Sequence, residues 1–64
     1  MSTAEKYGVT KRVFAYKVVF YEGGEKVYRK GAYADKFAHK CIMAGKFCSL
    51  HALTDDGWVE LAAC

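Results

Sequence analysis

The sequence has no proline, no long hydrophobic run and an odd number of cysteines, three in all. The absence of proline fits a fold with short loops in which glycine makes the turns. No stretch approaches the roughly 18 apolar residues of a membrane span, so we expect no membrane partner. The first residues lack the apolar core of a secretory signal, and unpaired cysteines then favour reduced thiols in a cytoplasm.

The length and composition predict one small globular domain covering residues 1–64, with residues 1–6 flexible at its start. The chain is 53% apolar and 16% aromatic, which is too hydrophobic for a disordered tail. Ten Lys and Arg residues against seven Asp and Glu residues give a net charge of +3. This excess either serves solubility or favours an anionic partner.

The first half of the chain predicts a β-hairpin. The segment "RVFAYKVVFY" (12–21) is dense in β-branched and aromatic residues, as is typical of a half-buried strand. Gly23 and Gly24 can form a two-residue turn with positive φ angles. The second strand is then predicted over 25–33, with a bulge or bend at Gly31.

The second half predicts a helix followed by another hairpin. Asp35 is suited to the N-cap and Gly45 to the position just after the helix, with Phe37, Ala38, Cys41 and Ile42 on its inner face. The segments "FCSLHAL" and "WVELA" are predicted strands joined by "TDDG". The predicted fold is α+β, a ββαββ two-layer sandwich with one helix packed on a face of an antiparallel sheet.

A Gly23-Gly24 turn predicts a basic and aromatic sheet face, which we call the Lys/Tyr sheet face. With this turn Val18 lies opposite Arg29 on one face, and the lysines and tyrosines of both strands share the other face. The residues on this predicted face are Lys17, Val19, Tyr21, Lys26, Tyr28 and Lys30. Lys17 would oppose Lys30, a repulsive arrangement that bound anions would relieve, and tyrosines beside them could stack on bases. The alternative is a solvated face whose lysines discourage aggregation.

Residues 7–44, "YGVTKRVFAYKVVFYEGGEKVYRKGAYADKFAHKCIMA", resemble AP2-type and phage-integrase arm-binding DNA-binding domains. In those families three strands read a DNA groove and a Gly-aromatic step leads into a helix. The resemblance implies DNA contacts by Lys17, Lys26 and Arg29. The chain departs from the pattern in lacking a Trp or Arg in the middle strand, and its closing hairpin has no counterpart there.

The whole chain is similar in size and layout to small phage-encoded inhibitors, such as anti-CRISPR proteins and RNA-polymerase inhibitors. That resemblance implies a non-enzymatic protein that binds a host protein or nucleoprotein complex and inhibits or modulates it. The alternative function is DNA or RNA binding through the basic sheet face. Either a monomer or a homodimer is compatible with the sequence.

Trp58 and Leu53 form a second candidate contact surface at the edge of the sheet. Trp58 is predicted to lie on the same side as Glu60, away from Leu61, where its ring either completes the core or is exposed. An exposed Trp beside Leu53 would be a credible anchor for a protein partner, since buried aromatic anchors dominate interface energies.

Catalytic, metal and cofactor sites are not predicted. His39, Cys41, Cys48 and His51 have zinc-ligand chemistry, but their spacing does not converge. His39 and Cys41 lie about 200° apart around a helix, and Cys48 and His51 point to opposite sides of a strand. No paired catalytic carboxylates, Ser-His-Asp order or phosphate-binding glycine loop is visible.

Overall fold

The computed structural model describes residues 3–63 and contains two helices and one antiparallel sheet. The elements in chain order are α1 (Thr3–Lys6), β1 (Ala15–Phe20), β2 (Glu25–Tyr28), α2 (Gly31–Met43), β3 (Cys48–Thr54) and β4 (Gly57–Ala63). The strand order is β2-β1-β3-β4. The α+β class and the ββαββ order, with a helix packed on the sheet, are therefore confirmed. Neither described helix has the length and apolar character needed to cross a bilayer.

The β1–β2 hairpin turns through Tyr21, Glu22 and Gly23 rather than through Gly23 and Gly24. The Gly23 amide donates to the Phe20 carbonyl at 3.0 Å, and the Phe20 amide donates to the Gly24 carbonyl at 3.0 Å. Gly23 has φ 114°, a value that a residue with a Cβ rarely adopts. A three-residue loop of this kind joins a tight turn to a left-handed residue, and it sets a different register from a two-residue loop.

Helix α2 begins four residues before the predicted N-cap, at Gly31, and the second strand ends at Tyr28 instead of residue 33. Lys30 is the N-cap and makes no side-chain capping bond. The predicted end is correct: the amides of Gly45 and Lys46 donate to the carbonyls of Ile42 and Cys41. These two bonds form a Schellman motif, with Gly45 at φ 78°.

The core lies between α2 and one face of the sheet, and it is built largely from small side chains. Val18 and Leu50, cross-strand partners on β1 and β3, are the largest completely buried residues. Ile42, which we expected on the inner face of α2, is 44% exposed at the margin of this core. The buried apolar residues are Ala4, Tyr16, Val18, Ala34, Ala38, Cys41, Cys48, Leu50 and Ala52. Four of these nine are alanines, which lets the helix approach the sheet closely.

The start of the chain is part of this packing. Of residues 1–6, which we expected to be flexible, residues 3–6 form α1, and Ala4 is only 1% exposed; residues 1–2 lie outside the described residues. The Tyr7 hydroxyl donates to Asp35 at 2.7 Å and the Lys6 ammonium donates to the same carboxylate at 3.0 Å. Asp35 is therefore not an N-cap; it lies inside α2 and ties the start of the chain to that helix.

The β3–β4 hairpin closes on a two-residue loop, because Thr54 pairs with Gly57. The buried Thr54 hydroxyl donates to the Gly57 carbonyl and accepts from the Asp56 amide, so its burial leaves no unmade hydrogen bond. The register shifts between Leu50 and His51, where β4 carries a bulge. The bulge places Leu61 and Ala62 together against the core cluster.

Candidate functional site

The sheet has one face covered by α2 and a second face that no described element covers. We call the second face the open face. The strand register places three rows of side chains across it. The rows are Glu25–Val19–Ser49–Ala63, Val27–Lys17–His51–Glu60 and Ala15–Leu53–Trp58.

Trp58 and Lys17 are joined on the open face by a direct cation–π contact. The Lys17 ammonium lies 4.3 Å from the centroid of the Trp58 ring and 3.3 Å from a carboxylate oxygen of Glu25. Trp58 is directly opposite Leu53 in the register and is 40% exposed. Lys17 therefore links a residue of the β2 edge to a residue of the β4 edge and holds the indole in a defined position.

The two residues predicted as an edge anchor, Trp58 and Leu53, are thus brought together, and Trp58 lies on the same side as Glu60 as expected. Val27, which is 58% exposed, extends the apolar part of the open face on the far side of Lys17. The charges of this face are mixed, because Glu25 neutralises Lys17 and Glu60 adds a further carboxylate.

A hydrogen-bonded Ser–His pair on the open face was not singled out from the sequence. Ser49 Oγ lies 2.8 Å from His51 Nε2, because residues two apart on a strand share a face. That spacing was the signal that could have identified it. Among residues 3–63 no hydrogen bond joins His51 to a carboxylate, so the pair lacks the orienting group of a nucleophile–base–acid arrangement.

The predicted Lys/Tyr sheet face does not form, and the three-residue hairpin loop is the reason. Val18 lies opposite Lys26 rather than Arg29, and Lys17 lies opposite Val27 rather than Lys30. A register shift by an odd number of residues moves every side chain of β2 to the other face. Lys26 and Tyr28 consequently lie on the helix side, while Lys17 stays on the open face.

The remaining residues of that predicted face lie outside the sheet. Tyr21 is 87% exposed in the hairpin loop, at the end of the molecule where its amide bonds to the Phe47 carbonyl. Lys30 lies in the short connection from β2 to α2 and is exposed, as is its neighbour Arg29, which the resemblance to DNA-binding domains had implied as a contact. Lys30 faces the ring of Tyr33, with 5.9 Å between its ammonium and the ring centroid.

Basic side chains instead collect on the helix side of the molecule. The Lys26 ammonium lies 5.0 Å from the centroid of the Phe37 ring and 5.6 Å from that of Tyr28. Lys36 and Lys40 are exposed on α2. We call the set Lys26, Arg29, Lys30, Lys36 and Lys40 the basic surface.

A groove of about 330 Å³ runs between α2 and β4 and contains the Asp35 cluster of perturbed titratable groups. The hydrogen bond from Tyr7 holds the pKa of the Asp35 carboxyl below its ordinary value, with Lys6 adding to the effect. The same bonds to Asp35 raise the pKa of Tyr7 and of Lys6. Because these groups satisfy one another, we interpret the cluster as the tie between α1 and α2.

The four residues with zinc-ligand chemistry do not converge. Cys41 and Cys48 are buried against the helix–sheet interface, whereas His39 is exposed on α2 and His51 lies on the open face. No three His, Cys, Asp or Glu side chains of residues 3–63 are grouped to hold a metal ion.

Comparisons of this chain with protein-family models, with curated proteins and with solved structures found no match. Any assignment of function therefore depends on the surfaces described above.

Proposed function

We propose that this chain is a small non-enzymatic binding protein that docks its open face onto a larger host protein or nucleoprotein complex and inhibits or modulates it. The observation that carries the proposal is Trp58, 40% exposed beside Leu53 in an apolar row on a sheet face that no described element covers. The further idea that it is an inhibitor encoded by a phage rests on the similarity in size and layout noted above.

The geometry of the open face favours a protein partner. A Trp with apolar neighbours, bordered by side chains of mixed charge, is typical of the energetic centre of a protein interface. The Lys17–Trp58 contact and the Lys17–Glu25 ion pair hold the indole before any partner arrives. A side chain that is already ordered loses less conformational entropy on binding, which raises the affinity obtained from a small contact area.

The charge of the open face argues against a nucleic acid as its partner. Lys17 is paired with Glu25, and Glu60 is exposed in the same row as Lys17. A polyanion would meet these carboxylates without a compensating excess of cations. The hypothesis that a nucleic acid binds the Lys/Tyr sheet face therefore has no structural basis. Binding of a nucleic acid would have to use a different surface.

Affinity capture with matched variants tests the proposal. The wild-type chain and Trp58→Ala are immobilised in equal amounts, and proteins captured from host lysate are quantified by mass spectrometry. A partner that docks on the open face is depleted at least tenfold by Trp58→Ala, since a buried Trp anchor contributes about 2 kcal/mol or more. The purified partner is then assayed for activity with each variant, and only the wild type should change it.

Tyr21→Ala is the control, because Tyr21 is an 87%-exposed aromatic residue in the hairpin loop, outside the sheet. It should capture the same partner as the wild type. A captured complex that Tyr21→Ala and Trp58→Ala retain equally would show that the open face is not the docking surface.

A further inference from the structure

The charges of this protein are segregated along the chain and in space. Residues 26–43 carry five basic residues and one acidic residue, while the rest of the sequence carries five basic and six acidic residues. The segment thus has a net charge of +4 inside a chain of +3. Its single carboxylate, Asp35, is already bound by Lys6 and Tyr7.

The five cations of the basic surface have no carboxylate partner among residues 3–63. The ion pairs of that part of the chain join Lys6 to Asp35, Lys11 to Asp56 and Lys17 to Glu25. Lys36 and Lys40 are one helical turn apart, a spacing at which like charges repel each other. An uncompensated positive surface of this kind attracts anionic partners and raises their association rates.

The basic surface extends along α2 and onto β2. At about 100° per residue, Tyr33, Lys36, Phe37 and Lys40 fall within about 100° of one another around α2. Lys26 extends this surface onto β2 through its contact with Phe37, and Lys30 continues it past the start of the helix through its contact with Tyr33. A row of cations spanning two elements suits a polymer of regularly spaced anions better than a single small anion.

Tyr33 adds an exposed aromatic ring to the basic surface, which binding of phosphate groups alone would not need. It is 60% exposed, with the Lys30 ammonium at 5.9 Å from its ring centroid. An exposed aromatic ring beside cations is the arrangement by which proteins stack the bases of a single strand while neutralising its backbone. Phe37 and Tyr28 are half-buried beneath Lys26, so Tyr33 is the ring of this surface that offers a free face.

We propose that the basic surface binds single-stranded nucleic acid, with Lys26, Arg29, Lys30, Lys36 and Lys40 contacting phosphates and Tyr33 stacking on a base. This site is on the opposite side of the sheet from the open face and does not depend on the function proposed for that face. A nucleoprotein partner could be held at both sites, the protein component by one and the strand by the other.

The test is a fluorescence-anisotropy titration of labelled 20-nucleotide single-stranded DNA and RNA, with a 20-base-pair duplex for comparison, at 50 and 200 mM salt. With about five phosphate contacts, the affinity for a single strand should fall roughly 100-fold between the two salt concentrations. Lys36→Gln/Lys40→Gln should weaken binding and reduce the magnitude of the salt slope by about 1.4.

Two matched variants separate local contacts from general effects. Lys11→Gln/Arg12→Gln removes the same two charges from residues outside the basic surface and should change the affinity much less than Lys36→Gln/Lys40→Gln. Tyr33→Ala should weaken single-strand binding about fivefold or more, whereas Tyr21→Ala, at an 87%-exposed tyrosine in the hairpin loop, should not.

Any of the following results would overturn the proposal: no single-strand binding at 50 mM salt with 100 µM protein, equal effects of the two charge variants, or equally tight binding of a polyglutamate peptide. A duplex that binds more tightly than the single strand, with no effect of Tyr33→Ala, would also overturn it. Circular dichroism of each variant excludes unfolding as the cause, and Trp58→Ala should bind DNA as the wild type does.

Discussion

At the scale of single residues, Gly31 is the position where a side chain is least tolerable. A Cβ added there would lie 2.6 Å from Thr3 Cβ and 2.7 Å from Tyr16 Cζ. Gly31→Ala should therefore lower the free energy of unfolding by about 1–2 kcal/mol, since overpacking costs up to about 3 kcal/mol and alanine's helix propensity returns less than about 1 kcal/mol. Urea unfolding monitored by circular dichroism measures the change.

Ala32→Ser is the control for that variant, because Ala32 is the next residue of α2 and is exposed. Its effect should stay within about 0.5 kcal/mol. Stability of Gly31→Ala equal to or above the wild type would contradict the close packing of α1, β1 and the start of α2.

The Tyr7–Asp35 hydrogen bond makes stability depend on pH in a defined direction. The folded-state pKa of Asp35 is below its unfolded value, so its contribution is complete above the unfolded pKa and is lost as pH falls through the folded pKa. Tyr7→Phe should cost about 1 kcal/mol at pH 7 and less below about pH 4. Urea unfolding at pH 7 and pH 3 compares the two chains.

An NMR titration of the Asp35 carboxyl gives the independent measurement. Its pKa should rise toward the ordinary value in Tyr7→Phe, because the main cause of the lowered pKa has been removed. Tyr28→Phe is the control, because the ring of Tyr28 packs against Phe37 and Lys26 rather than against Asp35. An unchanged Asp35 pKa in Tyr7→Phe would show that the bond does not form in solution.

At the scale of elements, the sequence predicts which elements exist better than it predicts how they meet. All four strands and α2 were predicted because β-branched runs and the helical spacing of Phe37, Ala38 and Cys41 are strong local signals. The end of α2 was also predictable, because glycine favours the left-handed position just after a helix, which Gly45 occupies. Each of these features is decided by a few neighbouring residues.

The sheet register was mispredicted because it depends on loop geometry that two adjacent glycines leave open. Either Gly23 or Gly24 can supply the left-handed residue, and the predicted and observed pairings differ by an odd number of positions. The predicted Lys/Tyr sheet face depended on which glycine was placed in the turn. Trp58 and Leu53 were placed correctly because a two-residue and a four-residue loop within "TDDG" give the same pairing of β3 with β4, with Leu53 opposite Trp58.

The start of α2 was mispredicted because tertiary contacts outweighed capping preference there. Asp35 is a favourable N-cap, but its carboxylate binds Lys6 and Tyr7, which lie 29 and 28 residues earlier in the chain. The helix then extends back to Gly31, where the missing side chain admits Thr3 and Tyr16. No local pattern in the sequence contains that information.

At the scale of the whole molecule, two buried thiols report the opening of the core. Cys41 and Cys48 are 6% and 5% exposed on α2 and β3. In a Cys64→Ser chain, which keeps only these two, a disulfide reagent such as DTNB should react about 100- to 1,000-fold more slowly than in 6 M urea. That range corresponds to about 3–4 kcal/mol, which a core of this size can supply.

The control for thiol reactivity is a Cys64→Ser chain that also carries Asp55→Cys, at an exposed position in the β3–β4 loop. Its added thiol should react at the rate of an unfolded chain, while the two buried thiols remain slow. Fast reaction of all thiols in the native state would mean that α2 does not stay packed on the sheet.

The alanine-rich interface between α2 and the sheet has a consequence for how this protein can change over evolutionary time. Larger side chains at Ala34, Ala38 or Ala52 would push the two layers apart, so sequence drift is confined to exposed positions. The open face and the basic surface lie on either side of that closely packed interior. Each can acquire a new specificity by substitution without disturbing the other, so a scaffold of 64 residues offers two independently variable recognition surfaces.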